Sequence, residues 1–152
     1  MNSMTYRKAE IQDIPQIQRV RNSVRENRLS DPSLVTDENV EEFITLRGQG
    51  WVCVIGTEIT GFAIIDLKEH NVWALFVHPI YEGTGIGKNL LGLMLDWYFE
   101  HTSDIVWLGT APATRAERFY RMQGWKEAGK HGKGEIRFEI DLPAWSQLKA
   151  LR

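Results

Sequence analysis

The sequence predicts an α/β or α+β fold, in which helices cover a central sheet. Apolar runs of strand length alternate along the chain with segments that carry a helical apolar stripe. The run at residues 71–77 is apolar almost throughout, as expected for a strand covered on both faces. This run ends at a proline, and three glycines at alternate positions then precede another apolar segment. That order is typical of a strand, a tight turn and the start of a helix.

Seven runs have the length and composition of strands. They are residues 5–9, 50–55, 59–67, 71–77, 105–108, 125–128 and 134–141. Turn residues at 56–58 and 129–133 predict antiparallel hairpins.

Two helices are expected between the first and second strands. Asp13 is placed to cap the first helix, whose apolar stripe continues to Val24. Thr36 or Asp37 begins the second helix. The positions expected to face inward on the second helix are Val40, Phe43, Ile44 and Leu46.

Two more helices are expected in the second half. The segment after the glycine turn is apolar over most of its circumference, which predicts burial against the sheet. Thr114 and Glu117 have the spacing of a capping box at the start of the next helix, and Gly124 ends it.

Bulk properties fit one domain over residues 1–152, with residues 143–152 as a tail. The net charge of −2 indicates no nucleic-acid partner. No apolar run approaches the ~20 residues of a membrane span, and residues 1–10 do not resemble a signal peptide, so we expect a cytoplasmic protein without a membrane partner. Cys53 lies in an apolar run and is expected to be buried.

The glycine turn is the most informative motif. Glycine at 83, 85 and 87 lets the backbone approach a ligand closely, and helix-start amides attract a pyrophosphate. Lys88 adds a cation, but Asn89 replaces the Ser or Thr of a Walker motif, and the glycine spacing departs from the dinucleotide fingerprint. A turn that only reverses the chain remains an alternative.

Two segments resemble motifs of the GNAT superfamily of N-acetyltransferases. Residues 75–91 resemble its acetyl-CoA-binding motif, Gln/Arg-x-x-Gly-x-Gly/Ala, with Glu82 in place of Gln or Arg. Residues 113–125 are similar to its later motif, Asn-x-x-Ala-x-x-Phe-Tyr, with Ala113 in place of Asn. The resemblance covers about residues 5–141. It implies the GNAT fold, with a mixed central sheet of about six to seven strands flanked by about four helices.

The resemblance implies acetyl-CoA as cofactor and no metal. The backbone N–H of Val77 would polarise the thioester carbonyl, and Tyr120 would act as general acid. The strands at residues 71–77 and 105–108 would be parallel neighbours that diverge. The residues expected to bind the cofactor are Leu75, Phe76, Val77, Glu82, Gly83, Thr84, Gly85, Ile86, Gly87, Lys88, Ala113, Ala116 and Phe119.

The expected acceptor is the primary amine of a small or amino-acid-like molecule. The expected acceptor residues are Arg25, Glu26 and Trp73, and the side chains considered for binding a carboxylate are Arg21, Arg25 and Arg28. The strand at residues 71–77 offers no carboxylate as a base. The base therefore stays open among Asp66, Glu69, His70, His78 and water.

Two other functions remain open at this stage. One is a non-catalytic domain that binds acyl-CoA, and the other is an enzyme that acetylates proteins. A homodimer is also considered, because Trp145 and Leu148 in the tail could cover a partner or fold back on their own chain.

Overall fold

A mixed sheet of seven strands lies at the centre of the computed structural model, which describes residues 3–27, 29 and 31–152. The strands follow the order β1-β2-β3-β4-β5-β7-β6. All neighbours are antiparallel except β4 and β5, which are parallel. The strands are β1 (Met4–Lys8), β2 (Gly48–Ile55), β3 (Glu58–Asp66), β4 (Asn71–Val77), β5 (Val106–Thr110), β6 (Lys126–His131) and β7 (Glu135–Ile140).

Five α-helices connect or flank these strands in the described part of the chain. They are α1 (Ile14–Ser23), α2 (Asp37–Glu42), α3 (Ile86–His101), α4 (Arg115–Met122) and α5 (Leu142–Ala150). A π-helical turn (Phe43–Arg47) continues α2, and a short 3-10 turn (Pro79–Tyr81) precedes the glycine turn. None of the described helices is long and apolar enough to cross a bilayer.

Each face of the sheet buries its own apolar core. On one face, α1 and α2 pack Ile17, Val20 and Val40 against the strands. On the other face, α3 buries Leu90 and Leu95, and α4 and α5 join this core. β3 lies between the two cores and is buried along nearly its whole length, because both of its faces are covered.

Residues 143–152, expected to be a tail, lie mostly in helix α5, which is why the described residues form five α-helices where about four were expected. The Asp141 carboxylate accepts from the Ala144 N–H (2.9 Å), and Pro143 lies in the first turn, so the start has ordinary capping chemistry. Trp145 is buried in the core of its own chain and donates through Nε1 to Asp96 (3.0 Å). The tail therefore folds back on its own chain at this residue.

Several expectations about element ends are wrong. Leu46, expected to face inward, is exposed, because it follows the buried Ile44 by two residues and so lies on the opposite side of the helical turn. β6 runs through residues 129–131, which were expected to be a turn, and only residues 132–134 reverse the chain. Cys53 is buried in β2, as expected.

Asp13 joins β1 to α1 through an ion pair rather than capping the helix with its side chain. Its carboxylate accepts two hydrogen bonds from Arg7 (2.7 and 2.8 Å) and one from the Glu10 N–H (2.8 Å). The Arg7 hydrogen bonds hold the pKa of the buried Asp13 carboxyl below its ordinary value, against the opposing effect of desolvation.

We expect Asp13→Asn to lower the free energy of unfolding by about 1–3 kcal/mol at neutral pH, because charged hydrogen bonds are lost. Since the folded pKa is depressed, the stabilisation is complete above the unfolded pKa of ~3.9 and disappears as pH falls through the folded value. Urea unfolding at several pH values measures this difference, with the exposed Glu41→Gln as control. Equal stability of wild type and Asp13→Asn at neutral pH would contradict the expectation.

Candidate active site

The site begins where β4 and β5 diverge. The two parallel strands share one registered pair, Asn71 with Trp107, and separate toward their carboxyl ends. A cleft of about 510 Å³ opens between them. Such a gap at the carboxyl ends of parallel strands is where ligands bind in many α/β proteins. This divergence agrees with the expectation from the sequence.

β4 presents unpaired backbone groups to this cleft. The His78 N–H donates to the Thr60 carbonyl of β3 (2.8 Å), and hydrogen-bonded pairs alternate with unbonded pairs along antiparallel strands. The alternation turns the N–H groups of Leu75 and Val77 away from β3 and toward the gap. The side chains of Leu75 and Phe76 also line the cleft.

The glycine turn carries a row of unpaired amides. Within the described residues, no N–H group from 83 to 88 donates to a protein acceptor. Gly85 caps α3 at φ 87°, and Gly83 has φ 76°, so both adopt a left-handed conformation that favours glycine. The positive end of the α3 dipole lies behind these amides.

The space over the turn is open to a ligand. A Cβ atom built on Gly83 or Gly85 would meet no heavy atom within 4 Å, whereas one on Gly87 would lie 3.7 Å from the Phe119 ring. Thr84 is held by a hydrogen bond from its Oγ1 to the Tyr81 carbonyl. Unpaired amides, open space and a helix N-terminus together fit the diphosphate of coenzyme A.

Glu82 and Lys88 place charge beside the turn. Glu82 stands where Gln or Arg was expected, and its Oε2 lies 3.7 Å from Nε of Arg115 at the start of α4. Both side chains are largely exposed, so the pair has little effect on stability. The Arg115 guanidinium does offset the negative charge of Glu82 close to the amides of the glycine turn. Lys88 is exposed on the first turn of α3, and the Ile86 side chain is buried in the core.

The loop before α4 forms the far wall of the cleft. Ala113 has φ 60°, a conformation that Asn adopts more readily than Ala. Its N–H donates to the Glu117 carboxylate (2.7 Å), while Thr114 caps α4 by accepting from the Glu117 N–H (3.2 Å). The expected capping box is therefore present in altered form. Ala116 lines the cleft.

Tyr120 lies on α4 with its side chain at the cleft. The residue is buried against Phe119, Trp125 and Phe138. Burial raises the pKa of the Tyr120 phenol above its ordinary value, so the hydroxyl stays protonated at neutral pH. The hydroxyl has no hydrogen-bond partner among the described residues, although the side chain lines the cleft.

Two residues of the loop after α1, which was expected to bind the acceptor, make structural hydrogen bonds. The Glu26 carboxylate accepts from the Arg115 N–H (3.0 Å), and Asn27 accepts from the Ala111 N–H (3.2 Å). These contacts fasten the loop after α1 to the loop before α4. Arg25 is exposed, and Arg28 lies outside the described residues.

A second cavity, of about 220 Å³, lies between α1, α2 and β4. It shares three lining residues with the cleft, namely Arg21, Trp73 and Ala74. Trp73 stacks face to face on Phe43, with ring centroids 3.9 Å apart. Trp73 thus lines both cavities, and its role in binding the acceptor stays a prediction.

The residues considered as a base lie outside the lining of the cleft. Asp66 pairs with Arg47. The His70 Nδ1 hydrogen-bonds Tyr98 (2.9 Å), and the His78 Nδ1 accepts from the Ile80 N–H (3.2 Å).

The cleft is instead lined by His131 and Glu135 from the β6–β7 hairpin, which the sequence analysis missed. A Cβ on Gly109 would lie 2.8 Å from Glu135 Oε1 and 2.9 Å from His131 Cδ2. Glycine on β5 therefore lets both side chains approach the strand. The separation of these residues along the chain hides the arrangement from local sequence patterns.

The model of the acetyltransferase (GNAT) family matches residues 14–125. The chain belongs to this family. It is therefore an acyltransferase that uses an acyl-CoA donor, and its seven-stranded sheet confirms the fold expected from the two motifs. A search of curated protein sequences finds no significant match to this GNAT protein.

Solved structures share the fold of this GNAT protein at low identity. The PaiA N-acetyltransferase from Thermoplasma acidophilum, in complex with coenzyme A, has a TM-score of 0.78 and 16% identity over 92% of this chain and 99% of its own. A GNAT acetyltransferase from Staphylococcus aureus Mu50 has a TM-score of 0.78 and 19% identity, with the same coverage. The ribosomal-protein-S18-alanine N-acetyltransferase from Escherichia coli has a TM-score of 0.72 and 17% identity over 92% and 93%.

We expect Gly85→Val to abolish the rise in melting temperature that coenzyme A produces in this GNAT protein. A branched side chain at φ 87° is strained, and it would occupy the open space above the amides. Thermal unfolding with and without coenzyme A measures the effect, since a ligand bound only to the folded state must stabilise it.

The matched control is Gly132→Val in the β6–β7 turn. Gly132 also has a positive φ, 58°, and open space around its Cβ position. The control variant is expected to melt earlier but to keep its response to coenzyme A. A full response in Gly85→Val would contradict the assigned role of the turn.

Proposed function

We propose that the chain is an N-acetyltransferase that moves acetyl from acetyl-CoA directly to the primary amine of a small or amino-acid-like molecule. The observation that carries this proposal is the row of unpaired amides at residues 83–88, beside the cleft between β4 and β5. Family membership supports an acyl-CoA donor, and acetyl is the simplest acyl group that fits this chemistry.

The proposed binding site assigns each part of the donor to neighbouring residues. The amides at 83–88 and the Lys88 side chain bind the diphosphate. The N–H groups of Leu75 and Val77 pair with the pantetheine arm, as an added strand would. The remaining contacts come from Phe76, Glu82, Ala113, Ala116 and Phe119.

Bound acetyl-CoA supplies a thioester, which is an activated acetyl donor. Transfer forms a C–N bond and breaks a C–S bond, and the proton lost by the amine balances the proton gained by the thiolate. The Val77 N–H is placed to stabilise negative charge on the carbonyl oxygen. Holding the amine and the thioester together in the cleft supplies much of the rate enhancement.

Tyr120 is the proposed proton donor to the departing thiolate. Its raised pKa keeps the phenol protonated, and its hydroxyl has no competing partner among the described residues. The raised pKa also makes the Tyr120 phenol a weaker acid, so its contribution to catalysis depends on close placement of the hydroxyl against the sulfur.

Acetylation of a protein N-terminus is the second candidate. The name of the structurally similar Escherichia coli enzyme points to an alanine of a ribosomal protein as its substrate. At 17% identity that similarity supports only the shared fold.

Acetyl-CoA should raise the melting temperature, and a panel of amines should produce amine-dependent thiol release. Both results together support the proposed enzyme. A thermal shift without thiol release for any amine, peptide amines included, would favour a non-catalytic domain. Absence of a shift at saturating acetyl-CoA would contradict the proposal, with Gly85→Val as the binding-deficient control.

Tyr120→Phe is expected to lower kcat by about 10²-fold or more while leaving the affinity for coenzyme A nearly unchanged, because general acid catalysis acts on the chemical step. Steady-state kinetics and calorimetry separate the two effects. The control is Tyr98→Phe, another buried tyrosine with a raised pKa that lies outside the lining of the cleft. An unchanged kcat in Tyr120→Phe would reject the acid role.

A further inference from the structure

Arg21 is a partly buried cation that forms no ion pair with any described residue. Its Nη1 atom is buried and has no hydrogen-bond partner among the described residues. The guanidinium lies over the Phe76 ring, 4.1 Å from the ring centroid, and desolvation lowers the pKa of Arg21 from its ordinary value. Arginine stays charged even so, and an opposite charge nearby would offset the partial loss of water around the guanidinium.

The position of Arg21 links this charge to the acceptor side of the site. Arg21 lines both the cleft and the smaller cavity beneath α1 and α2. No lining residue of the smaller cavity carries a carboxylate, within the part of the chain that the structure describes. The four residues outside that part, Met1, Asn2, Arg28 and Ser30, carry no acidic side chain either. The smaller cavity therefore leaves Arg21 free to bind an anion from outside the chain.

A carboxylate, opposite in charge to Arg21, lines the same cleft. Glu135 lies against β5 at Gly109 and makes no ion pair with any described residue. Arg137, on the same strand, pairs with Glu139 instead (2.9 Å). The lining of one cleft thus contains a guanidinium and a carboxylate, neither of which forms an ion pair with a described residue.

We propose that the acceptor is a free amino acid, whose carboxylate binds Arg21 and whose ammonium group approaches Glu135 before transfer. This inference rests on the proposed function and narrows its substrate class. A guanidinium binds a carboxylate through two parallel hydrogen bonds, which neutral groups do not match. A peptide N-terminus has an amide where the amino acid has a carboxylate, so it would leave the Arg21 charge unpaired.

The test compares free amino acids with their carboxamides, which keep the amine and lose only the carboxylate charge. With saturating acetyl-CoA, the wild-type kcat/KM is expected to be at least about tenfold higher for the acid of the best pair, as for a lost charged hydrogen bond. Arg21→Met should lower kcat/KM for the acid until it lies within about threefold of the value for the carboxamide. Arg21→Lys keeps a positive charge and should keep part of the preference for the acid.

Binding provides a readout that does not depend on turnover. Calorimetry with protein loaded with coenzyme A should detect the amino acid but not its carboxamide, and Arg21→Met should remove this difference. Glu135→Gln should weaken both ligands, because both carry the ammonium group. The control is Arg19→Met, since Arg19 is exposed on the same helix and lies outside the lining of both cavities.

The outcomes separate this inference from the proposed function. Equal use of acids, carboxamides and peptides by the wild type would overturn the inference and leave acetyl transfer intact. A preference for acids that persists in Arg21→Met and Arg21→Lys would also overturn the assignment to Arg21. Failure to bind acetyl-CoA, or to acetylate any amine, would overturn both.

Discussion

The candidate active site depends on the backbone N–H groups of residues 83–88, which have no acceptor among the described residues. A helix always has unpaired amides in its first turn, but side-chain caps or water usually satisfy them. At α3 no side chain caps the amides, because the capping residue is Gly85. Gly83 and Gly85, just before the helix, adopt positive φ angles, and the amides of residues 83–85 also have no acceptor among the described residues. An anion is the partner that satisfies this whole row.

The parallel pair of strands provides the second half of the site. β4 forms many contacts with β3 but shares one registered pair with β5, so its outer backbone groups lack a neighbour toward the carboxyl end. β5 is held on its other side by β7. The gap is therefore a consequence of sheet topology, and it opens beside the turn because β4 leads directly into that turn.

Charges around the cleft follow a simple pattern. The negative Glu82 beside the amides has Arg115 as a neighbour, whereas Arg21 and Glu135, which line the cleft, have no ion partner among the described residues. Groups near the proposed diphosphate are thus partly balanced by the protein itself. Arg21 and Glu135 form no ion pair with any described residue, which is why we propose that the acceptor binds there.

The sequence predicted the features that depend on neighbouring residues. β4, the glycine turn and the Thr114 cap all follow from local apolar runs, glycines and capping chemistry. The inward orientation expected for Leu46 was wrong, because a position two residues after the buried Ile44 lies on the opposite side of a helical turn. The start of helix α5 does have a local signal, because Asp141 is a favourable N-cap residue and Pro143 suits the first turn of a helix.

The presence of Arg21 and Glu135 in one cleft could not be predicted by local reasoning. Glu135 reaches the cleft only because β7 pairs with β5. The unpaired state of Arg21 depends on which side chains surround it in the folded chain.

The most direct test of the central claim is an NMR titration of the backbone amides with coenzyme A and, separately, with pantetheine, which lacks the diphosphate. The account predicts that the amides at residues 83–88 shift and become protected from exchange with coenzyme A, and that pantetheine leaves them nearly unchanged. Saturable binding of coenzyme A that leaves these amides unperturbed would contradict the account.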